Sequence, residues 1–138
     1  MKNFSLLFLL LIGVAVYAQG IEGIWRTDEL LTYRVKEQYV MTFVNRNDET
    51  VEVALYGNFI VFKDDGTFTS NYAAPCGNDC FTSSEGVFTY KGQDQVVLTL
   101  HQVEQSGTCS SSRVETVELG VYDIQIEKDY LLLSKHKK

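Results

Sequence analysis

Asn58 to Tyr72 reads NFIVFKDDGTFTSNY, two strand-forming runs on either side of Asp64-Asp65-Gly66. A type I turn over Asp64 and Asp65, with Gly66 supplying the left-handed residue, sets Lys63 opposite Thr67 and Phe62 opposite Phe68. Ile60, Phe62, Phe68 and Tyr72 then share one face of a hairpin, the pattern of a sheet with one greasy side.

The same device recurs downstream. GVFTYKGQDQVVLTL, Gly86 to Leu100, turns at Lys91-Gly92-Gln93-Asp94, and YDIQIEKDYLLLSK, Tyr122 to Lys135, turns at Glu127-Lys128-Asp129. Even-numbered residues are expected inward: Phe88 and Tyr90 with Val96, Leu98 and Leu100, then Tyr122, Ile124 and Ile126 with Tyr130 and Leu132. Val117 and Leu119 alternate with Glu118 ahead of Gly120, which is placed to bend or bulge a long strand. Tyr39 to Val44 and Val51 to Leu55 are further strands, and Leu30 to Gln38 reads as strand, loop or short helix. With a single proline and turn residues at hairpin spacing, the fold class is all-β. It is an antiparallel meander of eight or nine strands, closed or nearly closed into a barrel that hides its edges. Eight strands enclose room for packed side chains or one small ligand.

The ends place the chain. Met1 to Ala18, MKNFSLLFLLLIGVAVYA, carries Lys2, an apolar run and small residues before Gln19, the layout of a secretory signal peptide. The run is short of the roughly 20 residues a spanning helix needs. Residues 1–18 are therefore expected to be a cleaved leader, and residues 19–138 one barrel domain, exported to the periplasm or the extracellular space. The mature chain has no expected membrane span. Loss of Lys2 with the leader takes the net charge from −6 to −7, which repels phosphate backbones and excludes nucleic acid as a natural partner.

GIEGIWRTDEL follows the leader, and its Gly23-Ile24-Trp25 resembles the Gly-x-Trp signature on the first strand of lipocalins and bacterial lipocalin-like domains. FKDDGTF and GVFTY add the Phe-x-x-x-Gly-Thr-Phe hairpin and Gly-x-x-x-Tyr strand seen in such domains of exported bacterial proteins. The resemblance spans about Gly20 to Lys135 and implies a barrel in which Gly23 and Trp25 are structural, the tryptophan packing across the closed end. The cysteine spacing also resembles the small META-type β domains of exported bacterial proteins.

Three cysteines, Cys76, Cys80 and Cys109, lie in the expected loops Tyr72 to Glu85 and Glu104 to Arg113, which emerge at one rim if the strands between them pair. An oxidising compartment favours a bridge. Loop entropy favours joining Cys76 or Cys80 to Cys109 over joining Cys76 to Cys80, by more than about 1 kcal/mol. One thiol stays unpaired within the chain. A zinc site of three thiolates and His101 lacks the usual knuckle spacing, and a redox motif lacks both its two-residue spacing and its helix. No metal and no cofactor are expected.

Catalysis has little to stand on. His101 reads as an exposed strand residue and His136 as a tail residue; the loop serines lack a nucleophile elbow. Asp64-Asp65 is explained by its turn, and Asp28-Glu29 would need one member inside the barrel. The chain reads as a non-enzymatic binding protein. One form of that reading is a small apolar or amphipathic guest inside the barrel, with Tyr72, Phe88, Tyr90 and Tyr122 as its contacts. The alternative is a filled core that displays the stapled rim loops to a protein partner.

Overall fold

The computed structural model describes residues 20–45 and 56–138; the leader and the Val51 to Leu55 strand lie outside them. The described chain is all-β. Its strands are β1 (Gly23–Thr27), β2 (Gln38–Asn45), β3 (Gly57–Phe62), β4 (Thr67–Ala73), β5 (Cys80–Lys91), β6 (Gln95–Gly107), β7 (Ser111–Glu127) and β8 (Tyr130–Lys135). All neighbours are antiparallel and close into a barrel ordered β1-β2-β8-β7-β6-β5-β4-β3. Strands β3 to β8 form an unbroken meander, and β1 completes the wall between β2 and β3.

The hairpin that opens the reading is formed as expected. Phe62 stands opposite Phe68, the Lys63 N–H donates to the Thr67 carbonyl at 2.9 Å, and Gly66 takes φ 83°. The β5–β6 hairpin has the same three-residue loop and pairs Phe88 with Leu98. The last hairpin differs. Only Lys128 and Asp129 separate Glu127 from its partner Tyr130, so Ile124 and Ile126 stand opposite Leu133 and Leu131. A two-residue loop reverses the parity that a three-residue loop preserves. Leu131 and Leu133 are therefore the buried residues of β8, in place of the expected Tyr130 and Leu132, and Tyr130 is exposed.

Three glycines stand at special points of the wall. Gly120 takes φ 132° at a bulge where Leu98 pairs with Gly120 but Thr99 pairs with Glu118. Gly23, the structural glycine of the resemblance, takes φ 139° at the start of β1. Gly86 lies where β5 and β6 shift register between Glu85 and Gly86. A Cβ on Gly86 would meet the Thr99 carbonyl oxygen at 2.1 Å and the Phe68 ring at 2.7 Å.

Every strand contributes to one apolar cluster, from Trp25 on β1 and Tyr39 and Met41 on β2 round to Leu131 and Leu133 on β8. Aromatic rings meet within it. Phe62 lies edge-on to Phe88 at 5.2 Å, Trp25 edge-on to Phe43 at 5.1 Å, and Tyr39 against Tyr122 at 5.7 Å.

Replacing Gly86 by alanine forces a methyl into backbone and ring, so G86A is expected to lose about 3 kcal/mol, the upper range for overpacking. A urea midpoint unchanged from the parent would refute the close approach.

Candidate functional site

The two ends of the barrel are sealed by chain, and the way they are sealed decides what the aromatic residues do. At one end, Ile21 is fully buried. Its N–H donates to the Tyr90 hydroxyl at 2.9 Å, and its carbonyl accepts the Trp25 indole N–H at 2.7 Å. Tyr90 in turn donates to Glu22 at 2.9 Å. Burial, with the Glu22 carboxylate beside it, pushes the Tyr90 phenol up to about 12 although the residue as a whole is 40% exposed.

At the other end 28–37 is an irregular loop whose Leu31 is fully buried, so the stretch Leu30 to Gln38, open between strand, loop and short helix in the sequence, is loop up to Gln38, where β2 begins. Its backbone is held by hydroxyls from the wall. The Leu31 N–H donates to Ser70 at 3.1 Å, Ser84 donates to the Leu31 carbonyl at 2.5 Å, and Thr27 donates to the Glu29 carbonyl at 2.8 Å. Further along, the Lys36 N–H donates to Tyr39 at 3.2 Å and Tyr122 donates to the Lys36 carbonyl at 3.0 Å. Burial raises both phenols above their ordinary value. Ser84 is thus a core residue and not the loop filler its serine-rich neighbourhood suggests. Its signal in the sequence was position: Ser70 and Ser84 fall on the inward parity of β4 and β5.

The four residues expected to line a guest do not converge. Phe88 is in the core and touches Tyr90 edge-on at 5.8 Å, at the Ile21 end. Tyr122 is in the core against Tyr39. Tyr72 lies at the far rim, stacked on Phe81 at 6.1 Å. Two clefts formed by described residues lie outside the apolar cluster: about 290 Å³ on the outer wall by Asn71, Ser83 and Glu104, and about 440 Å³ between the 28–37 loop and the inner face of β5–β7, by Leu30, Tyr33 and Arg113.

That far rim is the most unusual part of the molecule. β4 leaves β5 after the Asn71–Ser83 pair, and β8 covers β7 only from Tyr122 onward. Beyond those points β5, β6 and β7 continue as a three-stranded extension, so the expected loops 72–85 and 104–113 are strand over 80–85, 104–107 and 111–113, where the ladder runs on to the disulfide. At its tip Cys80 is bonded to Cys109 with Cα atoms 5.2 Å apart, and Cys76 is a free, exposed thiol. The bridge resolves the open choice in favour of Cys80 with Cys109. Tyr72 donates to Asp79 at 2.6 Å and the Cys80 N–H donates to the same carboxylate at 2.8 Å. These bonds, the tyrosine's first, hold Asp79 below the ordinary carboxylate value. Their contribution is complete above the unfolded carboxyl value of about 3.9 and fades as pH falls through the lowered one.

Among the described residues no strand pairs the outer edge of β7 between Ser111 and Val121. Tyr33 sits on the other side of β7, at the seam where the β6–β7 register shifts between Leu100 and Gln102, its hydroxyl 3.5 Å from the His101 carbonyl of β6. The Glu115 N–H donates to its hydroxyl at 3.1 Å, the hydroxyl donates to the Glu115 carbonyl at 2.8 Å, and Arg113 lies 3.8 Å over its ring. Val114 next to them is 75% exposed.

The remaining chemical candidates stay apart. His101 is half-buried at the β5–β6 register shift, and His136 pairs with Asp123 at 3.0 Å on the surface. Asp28 accepts the Val40 N–H at 3.1 Å and Glu29 pairs with Lys36 at 3.1 Å. No group of three or more metal-ligating side chains occurs among the described residues. No protein-family model, curated protein or solved structure matches the chain.

The staple closes a loop of 29 residues, which constrains the unfolded chain by about 3.6 kcal/mol in the loop-entropy model. C80S/C109S is expected to lose about 2–4 kcal/mol in chemical denaturation, C76S almost nothing, and a thiol reagent to titrate Cys76 alone in the native protein. Labelling of Cys80 or Cys109 without denaturant would contradict the pairing.

Proposed function

We propose that this chain is an exported, non-catalytic interaction module: a filled barrel that holds the stapled β5–β7 extension out to a protein partner. The observation that carries the reading is the contrast between the barrel's two regions. Inside, one continuous apolar cluster draws on all eight strands, and its tyrosines serve as latches on the end-crossing segments. Beyond it, the extension exposes Val114 and, among the described residues, a strand edge that no strand pairs. A guest among those side chains would have to displace them; the space of about 300 Å³ or more that a small organic molecule takes lies outside the cluster, in the cleft by Leu30, Tyr33 and Arg113. Export is supported by the leader pattern of residues 1–18 and by a disulfide of the kind that persists outside the reducing cytosol. No helix among the described residues is long and apolar enough to cross a membrane.

A photoactivatable cross-linker at Val114 is expected to capture a protein in the native organism, while the same group at Thr89, exposed on the β5 wall, captures none. Native mass spectrometry of the purified protein should give the mass of the polypeptide alone. A stoichiometric organic molecule held through gentle ionisation, or equal cross-linking at both positions, would overturn the reading in favour of an internal ligand.

A further inference from the structure

We propose that the cleft between the 28–37 loop and the inner face of β5–β7 takes a carboxylate, carried on a short apolar segment of the partner protein. The proposal rests on the interaction-module reading and names the chemistry by which the partner is held.

The cleft offers about 440 Å³. Leu30, Tyr33 and Val103 line it half-buried, and Arg34, Ser111 and Arg113 form an exposed rim. A pocket for a free small molecule encloses roughly 70–90% of its ligand's surface. An open trough of this kind covers one side of its occupant, which fits a segment anchored elsewhere by the rest of a protein.

Charge selects the occupant. The chain has a net charge of −6 and four arginines, yet two of the four, Arg34 and Arg113, line this one cleft, with no lysine beside them. A guanidinium presents its N–H groups as a planar fork that matches the two oxygens of a carboxylate, whereas an ammonium is a point charge. Glu29, which also lines the cleft, is engaged with Lys36 at 3.1 Å. The neutral polar groups are engaged as well: Ser111 donates to Gln105 at 2.9 Å, Gln105 to Thr82 at 3.2 Å, and the Asn58 amide to the Asp28 carbonyl at 3.3 Å. Among the described residues the Arg34 guanidinium has no hydrogen bond or ion pair. Donors and positive charge are therefore in surplus here, and the complement is an anionic acceptor.

Arg113 is held ready for it. Both backbone bonds of Glu115 fix the Tyr33 hydroxyl, at 3.1 and 2.8 Å, so the ring is a firm platform, and the Arg113 guanidinium lies 3.8 Å over it. Stacking orders a long side chain in advance, which removes a cost of binding. Glu115 pairs with the same guanidinium along the strand. That pair is exposed and correspondingly weak, so Glu115 is a competitor that an incoming carboxylate displaces. Leu30 and Val103 give the carboxylate's carrier apolar contact. A run of acidic residues would be repelled by so acidic a chain, which leaves one carboxylate on an apolar segment.

Titration of the purified protein with acetyl-Ala-Ala-Phe, as free acid and as C-terminal amide, followed by nitrogen-15 NMR, tests this. The acid is expected to shift the Tyr33, Arg34 and Arg113 amide signals saturably, with a dissociation constant of about 1 mM or tighter, and the amide to bind at least about tenfold more weakly. R34A and R113A should each weaken the acid by about tenfold. E115Q removes the competitor and should tighten it several-fold, a gain that loss of folding cannot mimic; near-ultraviolet circular dichroism from Trp25 verifies that each variant is folded. Binding of acetyl-Ala-Glu-Phe amide as tight as that of the acid assigns the carboxylate to a side chain, and weaker binding assigns it to a chain end; either supports the proposal. Equal binding of acid and amide, or an E115Q that weakens the acid, overturns it. Phenylacetate binding as tightly as the peptide acid overturns it in favour of a small carboxylate. If no peptide binds while the Val114 cross-linker captures a protein, the interaction-module reading stands without the cleft; if no peptide binds and the cross-linker captures none, both fall.

Discussion

A barrel whose interior is apolar must be stoppered at both ends, and the stoppers are main chain. Ile21 and Leu31 supply the greasy plugs, but each brings peptide groups into a region without water, where an unpaired N–H or carbonyl costs about 1–3 kcal/mol. The wall answers with side chains. Trp25 and Tyr90 serve Ile21, Ser70 and Ser84 serve Leu31, Thr27 serves Glu29, and Tyr39 and Tyr122 serve Lys36. Thr27, Ser70 and Ser84 are the buried polar residues of the described chain, and all three bind the same end-crossing loop. No buried side-chain polar atom among the described residues lacks a partner. Among the described residues the buried polar side chains are thereby accounted for by closure.

This bears on how tyrosines in a barrel are interpreted. An inward-facing Tyr90 or Tyr122 has the composition of a ligand contact, an apolar body with a polar tip. Which role it takes depends on whether a backbone group lies within reach of the hydroxyl. Here one does in each case, and the raised phenols report groups that stay neutral donors and acceptors at any physiological pH. Tyr72 follows the same logic at the rim, where its hydroxyl anchors Asp79 and its ring stacks on Phe81.

The wall was legible because alternation and turn chemistry are local. Phe59 to Tyr72 contains both strands, the turn and the register of its hairpin, and the Gly120 irregularity was marked by glycine itself, whereas the register shift at Gly86 depends on the partner strand. The error on β8 was also local. Glu127-Lys128-Asp129 carries no glycine to announce a two-residue loop; Lys128 takes φ 47° without being the residue such a position favours, and one residue of loop length turned Leu131 and Leu133 inward. The closure was not legible for a different reason. Leu31 meets Ser70 and Ser84 across 39 and 53 residues of sequence, and nothing near Leu31 distinguishes a plug from a loop leucine. Two serines on inward positions were the available sign that some backbone had to come to them.

The staple and the core divide the molecule between them. Within the barrel, each strand has two neighbours and a buried face, so burial of apolar surface at about 25 cal/mol per Å² sustains the structure. The extension has neither advantage at its tip: Ser111 to Thr116 are exposed and no strand among the described residues pairs the outer side of β7 there. A short three-stranded projection of that kind gains little from burial, and in water such an element is marginal. Covalent cross-linking acts on the unfolded chain instead and asks nothing of a hydrophobic core. The disulfide therefore sits where it makes the most difference, at the end of the strands farthest from the plugged interior. The extension is thus an ordered, largely polar edge held away from the core, and that is the physical ground for seeking the protein's work there.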